Sequence, residues 1–178
     1  FLDGDAHYRS SSVGVQYNFT VGVYRRRISG TNGFHGWPRP DAMSYELRPH
    51  TADVAVAATG ADLGETFAAV ADGLAAATCD EIPATGERFS LTVRAEGLEA
   101  LLFDYLDRLI YERDVRGVLP VVNEASVHES DGGWLVEASA RGVPFADVTA
   151  RDVKAVTYSE MRVEETDGGW EAYVVLDV

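Results

Sequence analysis

Apolar side chains recur along this chain with two different periods, and the switches between them predict its elements. Leu63, Phe67, Val70 and Leu74 are spaced as on one face of a helix. Asp62 stands where it can cap that helix and Glu65 where it can complete a capping box, with the helix ending near Thr78. After Gly97, the residues Leu98, Leu101, Leu102, Tyr105, Leu106, Leu109 and Ile110 form the broad apolar face of a second helix, opposite Glu99, Asp104, Asp107 and Arg108. Between the two, Phe89, Leu91 and Val93 alternate with Ser90, Thr92 and Arg94, the period of a half-buried strand. Further strands are expected over 54–60, 118–127, 134–140, 153–163 and 170–178. Asp131-Gly132 and Asp167-Gly168 supply hairpin turns, because glycine tolerates positive φ. This order predicts an α+β domain, two helices packed on a mainly antiparallel β-sheet.

Residues 1–42 show no sustained period and end in the proline-containing run Trp37-Pro38-Arg39-Pro40. They are read as an N-terminal extension, disordered or non-native upstream sequence, with 43–178 as the single domain. No run of 18 apolar residues occurs, so a cytoplasmic protein without a membrane span is expected. The lone Cys79 is expected to be a buried small hydrophobe.

Charge sharpens the picture. The chain carries a formal net charge of −14, yet residues 1–42 hold five Arg against three Asp, so the acidity belongs to the domain. Such a body repels a phosphate backbone, and autonomous nucleic-acid binding is not expected. Its cations are 14 Arg and one Lys, Lys154. An acidic, lysine-poor surface suits high salt, where repulsion between carboxylates is screened, and a halophilic source is expected.

The sequence lacks a glycine-rich phosphate loop, a zinc-spaced Cys/His cluster and a Gly-x-Ser-x-Gly elbow. Polar residues gather instead at the two ends of the domain, in His50-Thr51-Ala52-Asp53 and in Leu176-Asp177-Val178. Oxygen donors of this kind suit hard cations. If the first and last strands are neighbours, Asp53, Asp177 and the main-chain oxygen of Val178 can share an ion; a strand-end cap and a solvated terminus are the plainer reading. Counting outward from the last hairpin turn places Asp177 near Ser159 and Val178 near Tyr158. Lys154 then lies on the order of 13 Å further along the strand, at about 3.3 Å per residue, and is not a direct partner of Asp177. Lys154 is read either as a contact for an anion or nucleotide phosphate or as an ordinary surface lysine.

Taken in order, His50-Thr51-Ala52-Asp53-Val54, Leu101-Leu102-Phe103-Asp104-Tyr105-Leu106, Val153-Lys154-Ala155-Val156-Thr157-Tyr158 and Leu176-Asp177-Val178 resemble the archease family across residues 44–178. The resemblance implies a non-enzymatic accessory protein. It would activate the GTP-dependent RtcB-type tRNA-splicing ligase by promoting guanylylation and multiple turnover, with modulation of a tRNA cytosine-5 methyltransferase as the alternative. It also implies a divalent ion, calcium above manganese or magnesium, on Asp53, Asp177 and Val178, with His50, Lys154 and Tyr158 as partner or nucleotide contacts. Where the family commonly reads Thr-Tyr-His, this chain has Thr157-Tyr158-Ser159, which puts the role of that histidine in doubt.

Overall fold

The first helix, α1 (Leu63–Thr78), starts where its capping residues place it. Asp62 Oδ1 accepts the Glu65 N–H at 2.9 Å, and Glu65 Oε2 accepts that of Ala61 at 3.0 Å, so two otherwise unpaired donors are satisfied. The computed structural model describes residues 44–49 and 53–178, with 44–49 and Asp53 described as backbone only.

Among the described residues, seven strands accompany α1 and the second helix, α2 (Leu98–Arg116). They are β1 (Ser44–Pro49), β2 (Asp53–Gly60), β3 (Glu87–Ala95), β4 (Val118–Ser130), β5 (Gly133–Pro144), β6 (Ala155–Thr166) and β7 (Gly169–Asp177). Every pairing is antiparallel. The α+β class with two helices on antiparallel strands is as expected, but the strands form two sheets rather than one, in the orders β1-β2-β7-β6 and β3-β5-β4. β1, which the sequence reading passed over, pairs with β2 along its whole length.

Each helix touches both sheets. α1 packs on β2 and β4, and α2 packs on β3 and β6. Two-sided cover explains why 13 of the 16 residues of α1 are buried instead of one stripe. Close approach also demands small residues. A Cβ on Gly73 would stand 2.4 Å from Val56 Cγ1 of β2, and one on Gly64 would stand 2.4 Å from the Ala125 carbonyl oxygen of β4.

In the interior, Leu101, Leu102 and Leu106 are fully buried, each stabilising the fold by about 1.5–3 kcal/mol. Tyr105 stacks on Phe67 with ring centroids 6.1 Å apart. α2 ends at Gly117, whose φ of 64° is the left-handed conformation that suits a glycine cap. Its buried Glu112 is gripped by Arg116 and Arg108, one turn to either side. Those cations, Arg116 foremost, hold the Glu112 carboxyl below its ordinary range.

A polar group interrupts the core where β4 bulges. Val121 pairs with Arg141 and Glu124 with Ser139, so one extra residue is accommodated on β4, and Val122 adopts φ 51°. The Asp72 carboxylate of α1 clamps this bulge from inside, accepting from Asn123 N at 3.0 Å and Asn123 Nδ2 at 2.8 Å. Arg88 holds it from outside, donating to the Val122 carbonyl at 2.9 Å and pairing with Glu124 at 3.0 Å. Burial raises the Asp72 pKa, against the lowering effect of the Asn123 bonds and of Arg88. Burial likewise pushes the Tyr105 hydroxyl up, and the Asp72 charge adds to it. The Tyr105 hydroxyl and Asn123 Oδ1 are buried without a hydrogen-bond partner.

Candidate functional site

Three strand ends meet at one edge of the four-stranded sheet. β2 begins at Asp53, β7 ends at Asp177 and β6 begins at Ala155. Asp53 stands opposite Asp177 on one side, and Ala155 stands opposite Asp177 on the other. Residues directly opposite in an antiparallel pair have Cα atoms about 4.5–5.5 Å apart, so the backbone positions of the two aspartates are immediate neighbours. The backbone N–H of Lys154 donates to the Asp177 carbonyl at 2.8 Å, which ties the lysine to the same edge. Asp177 is half-buried, while Lys154 and Val178 are exposed.

This geometry corrects the register counted from the hairpin. Asp177 lies opposite Ala155, not near Ser159, and Lys154 is hydrogen-bonded to it rather than remote from it. The cause is a second bulge. Thr157 pairs with Val175 and Arg162 with Tyr173, so five residue steps on β6 face two on β7. Glu160 turns this excess outward at φ 65°. Tyr158 and Ser159 are carried to the surface with it, and the Tyr158 ring packs edge-on against Phe103 of α2 at 5.7 Å. A multi-residue bulge has no periodic signature, and a count of residues cannot reveal it.

His50 lies outside the described residues, in the connection from β1 to β2. Among the described residues no group of three or more His, Cys, Asp or Glu is clustered as for a metal ion. The donors at the strand ends are of a different kind, one described carboxylate and the main-chain oxygens of Asp177 and Val178, with Asp53 as the facing position. Carboxylate and main-chain oxygens are the donor types that a hard cation takes.

The sequence profile of the Archease protein family matches residues 45–178. The chain belongs to the archease family. It is 30% identical over 140 residues to an archease of Pyrococcus furiosus, covering 75% of this chain and 98% of the relative. An archease of Archaeoglobus fulgidus is 34% identical over 140 residues, with 76% of this chain and all of the relative covered. Protein 1598 of Methanobacterium thermoautotrophicum, solved in solution, superposes with a TM-score of 0.66 at 28% identity, covering 75% of this chain and 98% of that one. The crystal structure of a Thermotoga maritima archease, described as a possible chaperone, shares the fold with a TM-score of 0.51 at 20% identity, covering 81% and 99%. The archease match starts at Tyr45, inside β1, and runs through the strand-end site to Val178. Among the described residues no helix is long and apolar enough to cross a membrane.

Proposed function

We propose that this archease is a non-enzymatic activator of an RtcB-type tRNA ligase, acting through the edge formed by Asp53, Asp177, Val178 and Lys154. The observation that carries the reading is the register of β2, β7 and β6, which aligns Asp53 with Asp177 and bonds Lys154 to the latter. Asp53, Asp177 and the Val178 oxygens would hold a divalent ion, calcium above manganese or magnesium, and such an ion neutralises phosphate charge when bound. Lys154 would supply a compact cation beside those carboxylates, suited to a nucleotide phosphate. Tyr158 and His50 would flank the contact with the partner. The ligase performs the covalent step, because guanylylation and phosphoryl transfer depend on charge neutralisation and in-line positioning that an accessory surface can improve from outside.

The acidity of the chain supports a protein partner over direct binding of RNA. The test mixes the chain with the ligase, GTP and tRNA halves and counts turnovers. Wild type is expected to convert a single-turnover ligase into a multiple-turnover one, and Asp177→Ala to lose at least tenfold of that stimulation. Full stimulation by Asp177→Ala contradicts the site. No stimulation by the wild type sinks the ligase reading and turns attention to a tRNA cytosine-5 methyltransferase, whose rate and aggregation are then the quantities to measure.

A further inference from the structure

The outer surface of α2 carries a feature that its packing does not use. Phe103, Asp107, Tyr111 and Val115 follow one another at four-residue spacing and so form a single ridge, about 18 Å long at about 1.5 Å per residue. Each four-residue step advances the ridge by about 40° around a helix of about 3.6 residues per turn. The exposures follow that drift. Phe103 is half-buried against the core, Tyr111 is 53% exposed and Val115 is 64% exposed. Tyr158, 56% exposed, extends the apolar surface beyond Phe103 from the bulge in β6. Apolar side chains exposed singly are ordinary, but Tyr111, Val115 and Tyr158 share one face of the molecule, with Asp107 between them.

The charges on the ridge decide what can cover it. Asp107 stands between the apolar positions and Asp104 beside them, both exposed, and among the described residues neither has a cation paired with it. The nearby Arg108 is engaged, lying over the Tyr111 ring at 5.1 Å and pairing with Glu112 at 2.7 Å. A phosphate backbone or an anionic membrane surface would be repelled by these carboxylates. A second copy of the chain, docked ridge to ridge about a two-fold axis at its middle, would set Asp107 against Tyr111 and bring no free cation to either acid. A protein segment with a Lys or Arg between two apolar side chains satisfies both the ridge and its acids.

We propose that the ridge from Phe103 to Val115, continued by Tyr158, is the surface on which this archease docks a partner protein through such a basic and apolar segment. The inference rests on the ligase reading for the identity of that partner. It separates two duties along one contact, affinity on α2 and activation at the strand-end site, joined through Tyr158.

The experiment measures the affinity of the full chain for the RtcB-type ligase by fluorescence anisotropy, together with turnover stimulation over a range of chain concentrations. Both substituted positions are more than half exposed, so the double variant Tyr111→Asp with Val115→Asp is expected to fold, as circular dichroism would verify. It is expected to weaken binding at least tenfold while regaining full stimulation at saturating concentration. Asp107→Lys is expected to weaken binding at least threefold by itself, and it keeps the proposal testable if the double variant does not fold. Asp177→Ala is expected to fail to stimulate at any concentration, including those that saturate binding. Unchanged affinity in both ridge variants, with a stimulating wild type, overturns the docking surface and leaves the ligase reading standing. A wild type that neither binds nor stimulates removes the ligase reading and the docking proposal together. Loss of tRNA affinity in the ridge variants, with ligase affinity untouched, assigns the ridge to RNA and overturns it.

Discussion

The two bulges among the described residues each place a non-glycine residue at positive φ, and their surroundings differ. In β4, Val122 at φ 51° is held on both sides, by Asp72 through Asn123 and by Arg88 through its own carbonyl. In β6, Glu160 at φ 65° has no such clamp: Tyr158 and Ser159 before it are exposed, and the bulge is anchored by apolar contacts, Met161 buried in the core and the Tyr158 ring edge-on to Phe103. Positive φ costs on the order of 1–3 kcal/mol and persists only where the surroundings enforce it. The first bulge is therefore part of the core's architecture, clamping β4 to α1. The second is anchored through Met161 but turns Tyr158, Ser159 and Glu160 outward, re-aiming those side chains to the surface.

Removing the inner clamp tests that contrast most severely. Asp72→Ala leaves two donors of the buried Asn123 without an acceptor, each costing about 1–3 kcal/mol, so a loss of about 2–6 kcal/mol is expected in urea denaturation. A loss under about 0.5 kcal/mol would show that the clamp is idle. Val122→Gly should act in the other direction, relieving φ at the cost of a partly exposed side chain and stabilising the fold by about 1 kcal/mol, with ligase stimulation unchanged. Destabilisation there would mean that the Val122 side chain matters more than its backbone.

Smaller effects belong to the outer bulge. Tyr158→Ala removes one aromatic pair and is expected to lower stability by about 0.5–1 kcal/mol while weakening ligase binding several-fold. If stability falls and binding does not, the β6 bulge is structural like its counterpart. The subtlest prediction concerns pH. Because burial raises the folded-state pKa of Asp72, its contribution is fully present below the unfolded carboxylate pKa and is lost as pH rises through the raised value. Glu112, held low by Arg116 and Arg108, has the opposite sign, and its stabilisation is lost as pH falls through its depressed value. Asp72→Asn should therefore gain on the wild type as pH rises, seen as a widening difference in melting temperature, and a constant difference would contradict it.

The same contrast explains what the sequence disclosed. The capping pair Asp62 and Glu65, the broad face of α2 and the turn at Asp131-Gly132 are local, each written within a few residues, and all three appear as expected. Asp53 and Asp177 were also within reach, because a first and a last strand that pair bring their ends together. The division into two sheets was not, since it depends on how Gly64 and Gly73 let strands close on α1 from both sides. Nor was the place of Lys154, because the excess of residues from Tyr158 to Met161 shifts everything before it along β7. β1 did have a legible signal, the alternation of Tyr45 and Leu47 with Glu46 and Arg48, in a segment too short to stand out beside the unpatterned chain before it.

Covalent GMP on the ligase is the most direct readout of the central claim, that the strand-end edge activates the partner. Ligase, labelled GTP and substoichiometric chain are mixed, and label retained on the ligase is counted after denaturation. Wild type is predicted to bring guanylylation close to one per ligase and Asp53→Ala or Asp177→Ala to leave it at the level without the chain. Equal labelling by the wild type and both variants would contradict the account.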